Sequence, residues 1–159
     1  MNTDVEVTIA APRDVVWSLV SDIENSAAVL PAIEEVEILE RPGAGLLGLK
    51  WRETRTIFGK TATETMWVTD VEEGRSYTAE ARSHGSIYRT TIRLDDLSGG
   101  TRLRMEFSAR PVSFGAKLAS LLLGFLMRRS VRQALQKDLE DLKRAAEARG
   151  AQPTPSTGS

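Results

Sequence analysis

Three charged residues share one face of a strand pair that is otherwise apolar, and their types suit chemistry. Glu53, Arg55 and Glu64 all fall on the side of the pair that also carries Trp51, Ile57 and Met66. Carboxylates set in apolar surroundings have their pKa raised, while a neighbouring guanidinium holds one of them ionised. Such a set can orient a ligand carbonyl or move a proton. The plain alternative is a cross-strand salt bridge near the sheet edge, partly solvated and contributing little. Tyr77 and Tyr88 lie on the same face, each with an apolar ring and one polar tip. They either hydrogen-bond a ligand or pack in a core with the hydroxyl reaching water or backbone. His84 is the single histidine and sits in a His84-Gly85 turn on the opposite parity. Without a partner histidine on that face, a serine triad has no base. No set of residues stands out as catalytic.

The elements that position these groups follow from period-two alternation. Five strand-like runs lie between Leu49 and Ala109, separated by turns placed at Gly59-Lys60, Glu73-Gly74, His84-Gly85 and Ser98-Gly99. One face then collects Trp51, Met66, Tyr77, Ala79, Tyr88, Thr90, Ile92, Met105 and Phe107. The other collects Arg89, Arg93, Arg102, Arg104 and a row of threonines. In this register Arg55 faces Glu64, and Glu53 lies next to Met66 without a partner. Trp67 is anomalous on the wet face, where a bulge or an interface would explain it.

Val5, Val7 and Ile9 alternate with acidic or polar residues as a further strand. Pro12 and Asp14 open a short helix. Glu24 to Val29 forms a second, stopped by Pro31. Val36 and Ile38 mark another strand, and Arg41 to Gly45 a loop. From about Val112 to Ala148 the pattern is helical, with Leu118, Leu122, Phe125, Val131, Leu135, Leu139 and Leu142 in the apolar stripe. Its first half, LASLLLGFLM, has three readings: a gate lining a cavity, a dimer interface, or a transient membrane contact edged by Arg128 and Arg129. A sheet with one dry face needs a cover, and only this helix is large enough.

Bulk composition narrows the function classes. The chain has 159 residues, 41% hydrophobic and 27% charged, with net charge -1 and no cysteine. That balance gives no electrostatic case for nucleic acid. Disulfides and thiolate metal sites are excluded, one histidine argues against a histidine metal site, and no cofactor is called for. The start, MNTDVEV, lacks a signal pattern, and the longest apolar run is short of the ~20 residues a membrane span needs. A cytoplasmic protein without stable membrane insertion is expected, as monomer or homodimer.

The stretch VTIAAPRDVVWSLVSDIENSAAVLPAIEEVEILE resembles the opening of the START-like (SRPBCC) superfamily, in its polyketide cyclase/dehydrase-type branch. Ala11-Pro12, Val16-Trp17, Asp22 and Val36-Glu37 carry the likeness, with Gly48, Trp51, Gly100-Thr101-Arg102-Leu103 and Asp138-Leu139 through Leu142-Lys143 further on. It spans about residues 3 to 147. The resemblance implies an α+β helix-grip fold: a seven-stranded antiparallel sheet wrapped around the long C-terminal helix, with two short helices between strands 1 and 2. It implies a single ligand-binding domain over 1–148; the Pro/Ser/Thr-rich end of the chain makes 149–159 an expected disordered tail. The implied partner is a hydrophobic small molecule such as a lipid, polyketide or quinone, held in a cavity between sheet and helix. On that basis the candidate ligand-binding residues are Trp51, Glu53, Arg55, Glu64, Met66, Tyr77, Tyr88, Thr90, Met105, Leu118, Leu122 and Phe125. A non-catalytic carrier leads. A cyclase, aromatase or dehydratase using Glu53, Glu64 or Tyr88 is the alternative, and a protein-interaction module the third reading.

Overall fold

Alternating strands and one long helix form the architecture that the pattern calls for. The computed structural model describes residues 2–57 and 59–151, with the side chains of Ile57 and residues 120–127 excepted. Strands β1 (Asn2–Ile9), β2 (Ile33–Glu40), β3 (Lys50–Ile57), β4 (Lys60–Glu72), β5 (Ser76–Ser83), β6 (Ser86–Leu97) and β7 (Gly100–Pro111) make one antiparallel sheet. Its order is β1-β7-β6-β5-β4-β3-β2, so β1 and β2 are the edges. Helix α1 (Arg13–Val20) and a 3-10 helix (Ile23–Ala28) bridge the edge strands. Helix α2 (Phe114–Gly150) packs on the dry face against β1, β7 and α1. This is a helix-grip fold. The expected tail from residue 152 on lies outside the described residues, and residues 149–150 belong to α2.

The face assignment survives. Ile92, Met105 and Ala79 are buried, and Arg89 and Arg93 are exposed. Met66, Tyr88 and Phe107 are half-buried rather than covered, because they border open space beneath the helix. Arg102 and Arg104 are also half-buried rather than exposed, since β7 lies between β1 and β6 and Arg104 reaches Glu6 across the β1 pair.

Two turns differ from the spacing argument. Ile57 faces Lys60, so the first turn falls one residue earlier than Gly59-Lys60. Every β4 partner therefore moves two places along β3. Two places preserve the face but change the neighbours. The expected Arg55–Glu64 pairing is wrong: Arg55 faces Ala62, Glu53 faces Glu64, and Trp51 faces Met66. The second connection has three residues, with Glu72 facing Ser76 and Gly74 at φ +78°. A bulge at Thr69 then absorbs the extra residue, so Val68 still faces Ala79. The bulge lets both Val68 and Val71 point into the core.

His84-Gly85 turns as expected, with both residues at positive φ. A hairpin of this kind favours glycine because only the loss of Cβ makes that region free of strain. Gly100 is required for another reason: a Cβ there would stand 2.2 Å from the carbonyl oxygen of Ile9. Beside it, the buried Thr101 hydroxyl donates to the Ala11 carbonyl at 2.8 Å. Together they tie the end of β1 to the start of β7. Ser113 caps α2, its hydroxyl accepting from the Ala116 amide at 3.1 Å.

The Trp67 anomaly has a local explanation. Its ring lies under the Arg82 guanidinium at 6.0 Å, and its cross-strand neighbour is Glu80. Glu80 in turn accepts two hydrogen bonds from Arg89. The bulge lies two residues further along and does not cause it.

Candidate ligand cavity

The second half of α2 repeats apolar or small residues at Val131, Ala134, Leu135 and Leu142, and position 138 of that stripe is an aspartate. Helical spacing turns all five toward the sheet. They meet α1, the 3-10 helix and the dry face of β3 to β7 around a cavity of about 530 Å³. This lies within the ~300–1,000 Å³ typical of small-molecule sites. The walls are mostly apolar, and four charged groups interrupt them: Glu53, Arg55, Glu64 and Asp138.

Three of the four form one network. The Arg55 Nε donates to Glu53 Oε1 at 3.0 Å, and its Nη1 donates to Asp138 Oδ2 at 2.5 Å. The Trp51 indole N–H donates to Glu53 Oε2 at 3.3 Å. The side chains are 21% (Arg55), 13% (Glu53) and 5% (Asp138) exposed, so water screens this network poorly. Burial pushes the Asp138 carboxyl above its usual range, and Arg55 offsets that only in part. Burial also works against the Arg55 charge, but the flanking Asp138 and Glu53 outweigh it and hold its proton more tightly. Two carboxylates share one guanidinium, and the neighbouring Glu53 adds to the rise at Asp138.

Tyr77 is buried and donates to the Val20 carbonyl at 3.0 Å. Burial, with Glu53 adding to it, raises its pKa well above the usual tyrosine value. The hydroxyl ties α1 to the sheet. Tyr88 and Phe107 stack with centroids 6.1 Å apart on the neighbouring strands β6 and β7.

Of the residues singled out in the sequence, Trp51, Glu53, Arg55, Glu64, Met66, Tyr77, Tyr88, Thr90 and Met105 border this cavity. Leu118 does not. It is 51% exposed and lies about 18 Å up the helix axis from Ser130, the nearest lining residue of α2 among the described side chains. Leu122 and Phe125 fall outside the described side chains, and with them most of the proposed gate. Glu53 does have partners, contrary to the expectation that it stands alone: its own-strand neighbour Arg55 and the Trp51 indole. Asp138 was missed because it sits in a run of solvated charges. The signal was its place in the stripe, seven residues after Val131 and four before Leu142. The contribution of α1 and the 3-10 helix, through Leu19, Ile23 and Ser26, was also missed.

A curled antiparallel sheet gripping a long helix over an apolar cavity defines the helix-grip class. The chain belongs to the polyketide cyclase/dehydrase and lipid transport family, whose pattern matches residues 2–147. A curated Streptomyces halstedii protein named as a polyketide cyclase is 43% identical over 42 residues, which is 26% of this chain and 38% of that relative. The chain thus matches well under two thirds of that relative's length. Among solved structures, a Thermus thermophilus protein superposes with a TM-score of 0.77 at 20% identity, covering 95% of this chain and all of the other. A Streptomyces aromatase/cyclase superposes at 0.74 with 22% identity, covering 100% and 99%. A Panax ginseng major latex-like protein superposes at 0.71 with 12% identity, covering 96% and 98%. These likenesses establish the fold. No helix among the described residues is long and apolar enough to cross a membrane.

Proposed function

We propose that this protein binds and carries a hydrophobic small molecule in the cavity between sheet and helix, with the molecule's polar end near Glu53, Arg55 and Glu64. The observation that carries the reading is the cavity itself. About 530 Å³ of mostly apolar space lies where a well-packed core would be filled. The polar groups favour holding over turnover. Arg55 is committed to two carboxylates, and the Tyr77 hydroxyl to a backbone carbonyl. The test is titration with Nile red, a neutral apolar dye, alongside native mass spectrometry for a co-purifying ligand. Dye binding should be saturable, with one site per chain, and lost in Ala134→Trp, which fills the space from the helix side. Equal binding by that variant sinks the reading.

A second reading, proton-transfer catalysis of the cyclase or dehydratase kind, has one observation behind it. Asp138 is a buried carboxyl on the cavity wall whose raised pKa lets it keep a proton closer to neutral pH. That is the property a general acid needs. Turnover of a poly-β-ketone to a cyclised product, lost in Asp138→Asn, would establish it. No turnover leaves the carrier.

A further inference from the structure

The charges on the cavity wall are unequal, and the inequality says what the ligand's polar end must be. Three carboxylates, Glu53, Glu64 and Asp138, face one guanidinium, Arg55. Both forks of Arg55 in use point at Glu53 and Asp138. No second cation lines the space among the described residues, and the sequence of positions 57, 58 and 120–127 contains no charged residue. On α2, Lys137 is engaged by Asp141, and the Arg132 side chain by the Asp4 carbonyl. Arg128 and Arg129 are exposed and outside the wall. An anionic head entering the cavity therefore meets surplus negative charge, and the one cation there already faces two carboxylates.

Glu64 sharpens the point. It faces Glu53 across the β3–β4 pair, and among the described residues it has neither an ion pair nor a hydrogen bond to its side chain. Directly opposed like charges in a sheet are destabilising. A hydrogen-bond donor placed between them removes that cost, and a cationic donor removes more of it. We infer that the cavity selects an apolar molecule whose polar end donates hydrogen bonds, a hydroxyl or an ammonium seated at Glu64, and that it rejects carboxylate amphiphiles such as fatty acids. This rests on the binding reading above and adds the chemical class of the ligand.

The experiment compares three heads on two apolar bodies. Decanol, decylamine and decanoate, and the naphthalene-2-yl methanol, methylamine and carboxylate, are titrated at pH 7.5 by competition with Nile red. The alcohol and the amine should bind at least ~10-fold more tightly than the carboxylate on either body, equivalent to about 1.4 kcal/mol. In Glu64→Gln the ratio of amine to carboxylate affinity should fall several-fold, and the ligand-free protein should unfold at a higher temperature as the opposed charges disappear. Carboxylate binding as tight as the alcohol's overturns the selectivity, and so does an unchanged ratio in Glu64→Gln. Failure of all six compounds and of the dye removes the binding reading and this inference with it. Equal binding by all three heads overturns the inference alone.

Discussion

The sheet carries an ion cluster on each face, and the two have opposite surroundings. Inside, Arg55 bridges Glu53 and Asp138 beneath α2, with Asp138 only 5% exposed. Outside, Arg89 pairs with Glu80 while Arg82 covers Trp67, and the Arg89 side chain is 60% exposed. The outer cluster can lose the exposed Arg82 and let water take its place, although its Glu80 side chain is only 11% exposed. The inner one cannot, because a charge left alone there has no water to turn to. Buried ion groups are poor contributors to net stability compared with apolar packing of the same volume. An inner cluster on a cavity wall is thus better explained by what it presents to a ligand than by what it adds to the fold.

Breaking the inner cluster at its centre should have the largest effect. Arg55→Met leaves two buried carboxylates and should lower the unfolding free energy by ~3–5 kcal/mol in denaturant titration. A loss below about 1 kcal/mol would erase the difference between the faces. Replacing the whole network, with Glu53→Leu and Asp138→Leu added to Arg55→Met, should restore most of that stability while Glu64 still favours an amine over a carboxylate head.

The pH dependence sharpens the same contrast. The Asp138 carboxyl is raised in the folded state above its ordinary value, so between the two the native protein holds a proton that the unfolded chain has released. The stability of wild type relative to Asp138→Asn should therefore be greatest near pH 4 and fall as pH rises through the raised native pKa. A difference that is flat with pH, in paired urea titrations, would show that burial does not govern Asp138. Tyr77 follows the same sign at the alkaline end. The unfolded tyrosine ionises near 10.0 while the buried one keeps its proton. Wild type should lose up to ~1.4 kcal/mol per pH unit above that point relative to Tyr77→Phe. At neutral pH that variant should cost only ~1 kcal/mol, the worth of its hydrogen bond. Smallest of all, Arg82→Met on the outer face should cost at most ~1 kcal/mol, measured as for Arg55→Met, since Arg82 is exposed and only covers the Trp67 ring.

The outer cluster was half legible and the inner one less so, for a physical reason that can be followed residue by residue. Parity depends only on alternation along each strand, so Glu53, Arg55 and Glu64 could be assigned to the dry face from their neighbours. Partnership depends on where each turn begins. One residue's difference at Ile57 exchanged Arg55–Glu64 for Glu53–Glu64 without disturbing a single face. At Thr69 a bulge and a longer turn cancelled, so the right pairing of Val68 with Ala79 came from a turn of the wrong length. Asp138 and Asp141 read as members of a solvated charge run, yet both are buried on α2. Asp141 is held by Lys137 and Arg144 of its own helix, which local spacing allows. Asp138 is held by Arg55, 83 residues away.

By itself the sequence determined the class of fold, the dry and wet faces, the helix that covers the dry one, and the presence of charge beneath it. Those features follow from periodicities of 2 and 3.6 and from glycine turns, which act over a few residues. The tertiary structure alone decided which charges meet, how much space is left between sheet and helix, and which carboxylate is spared a partner. Each depends on distances between segments far apart in the chain, where a shift of one residue moves a charge to a new neighbour while leaving every local pattern unchanged.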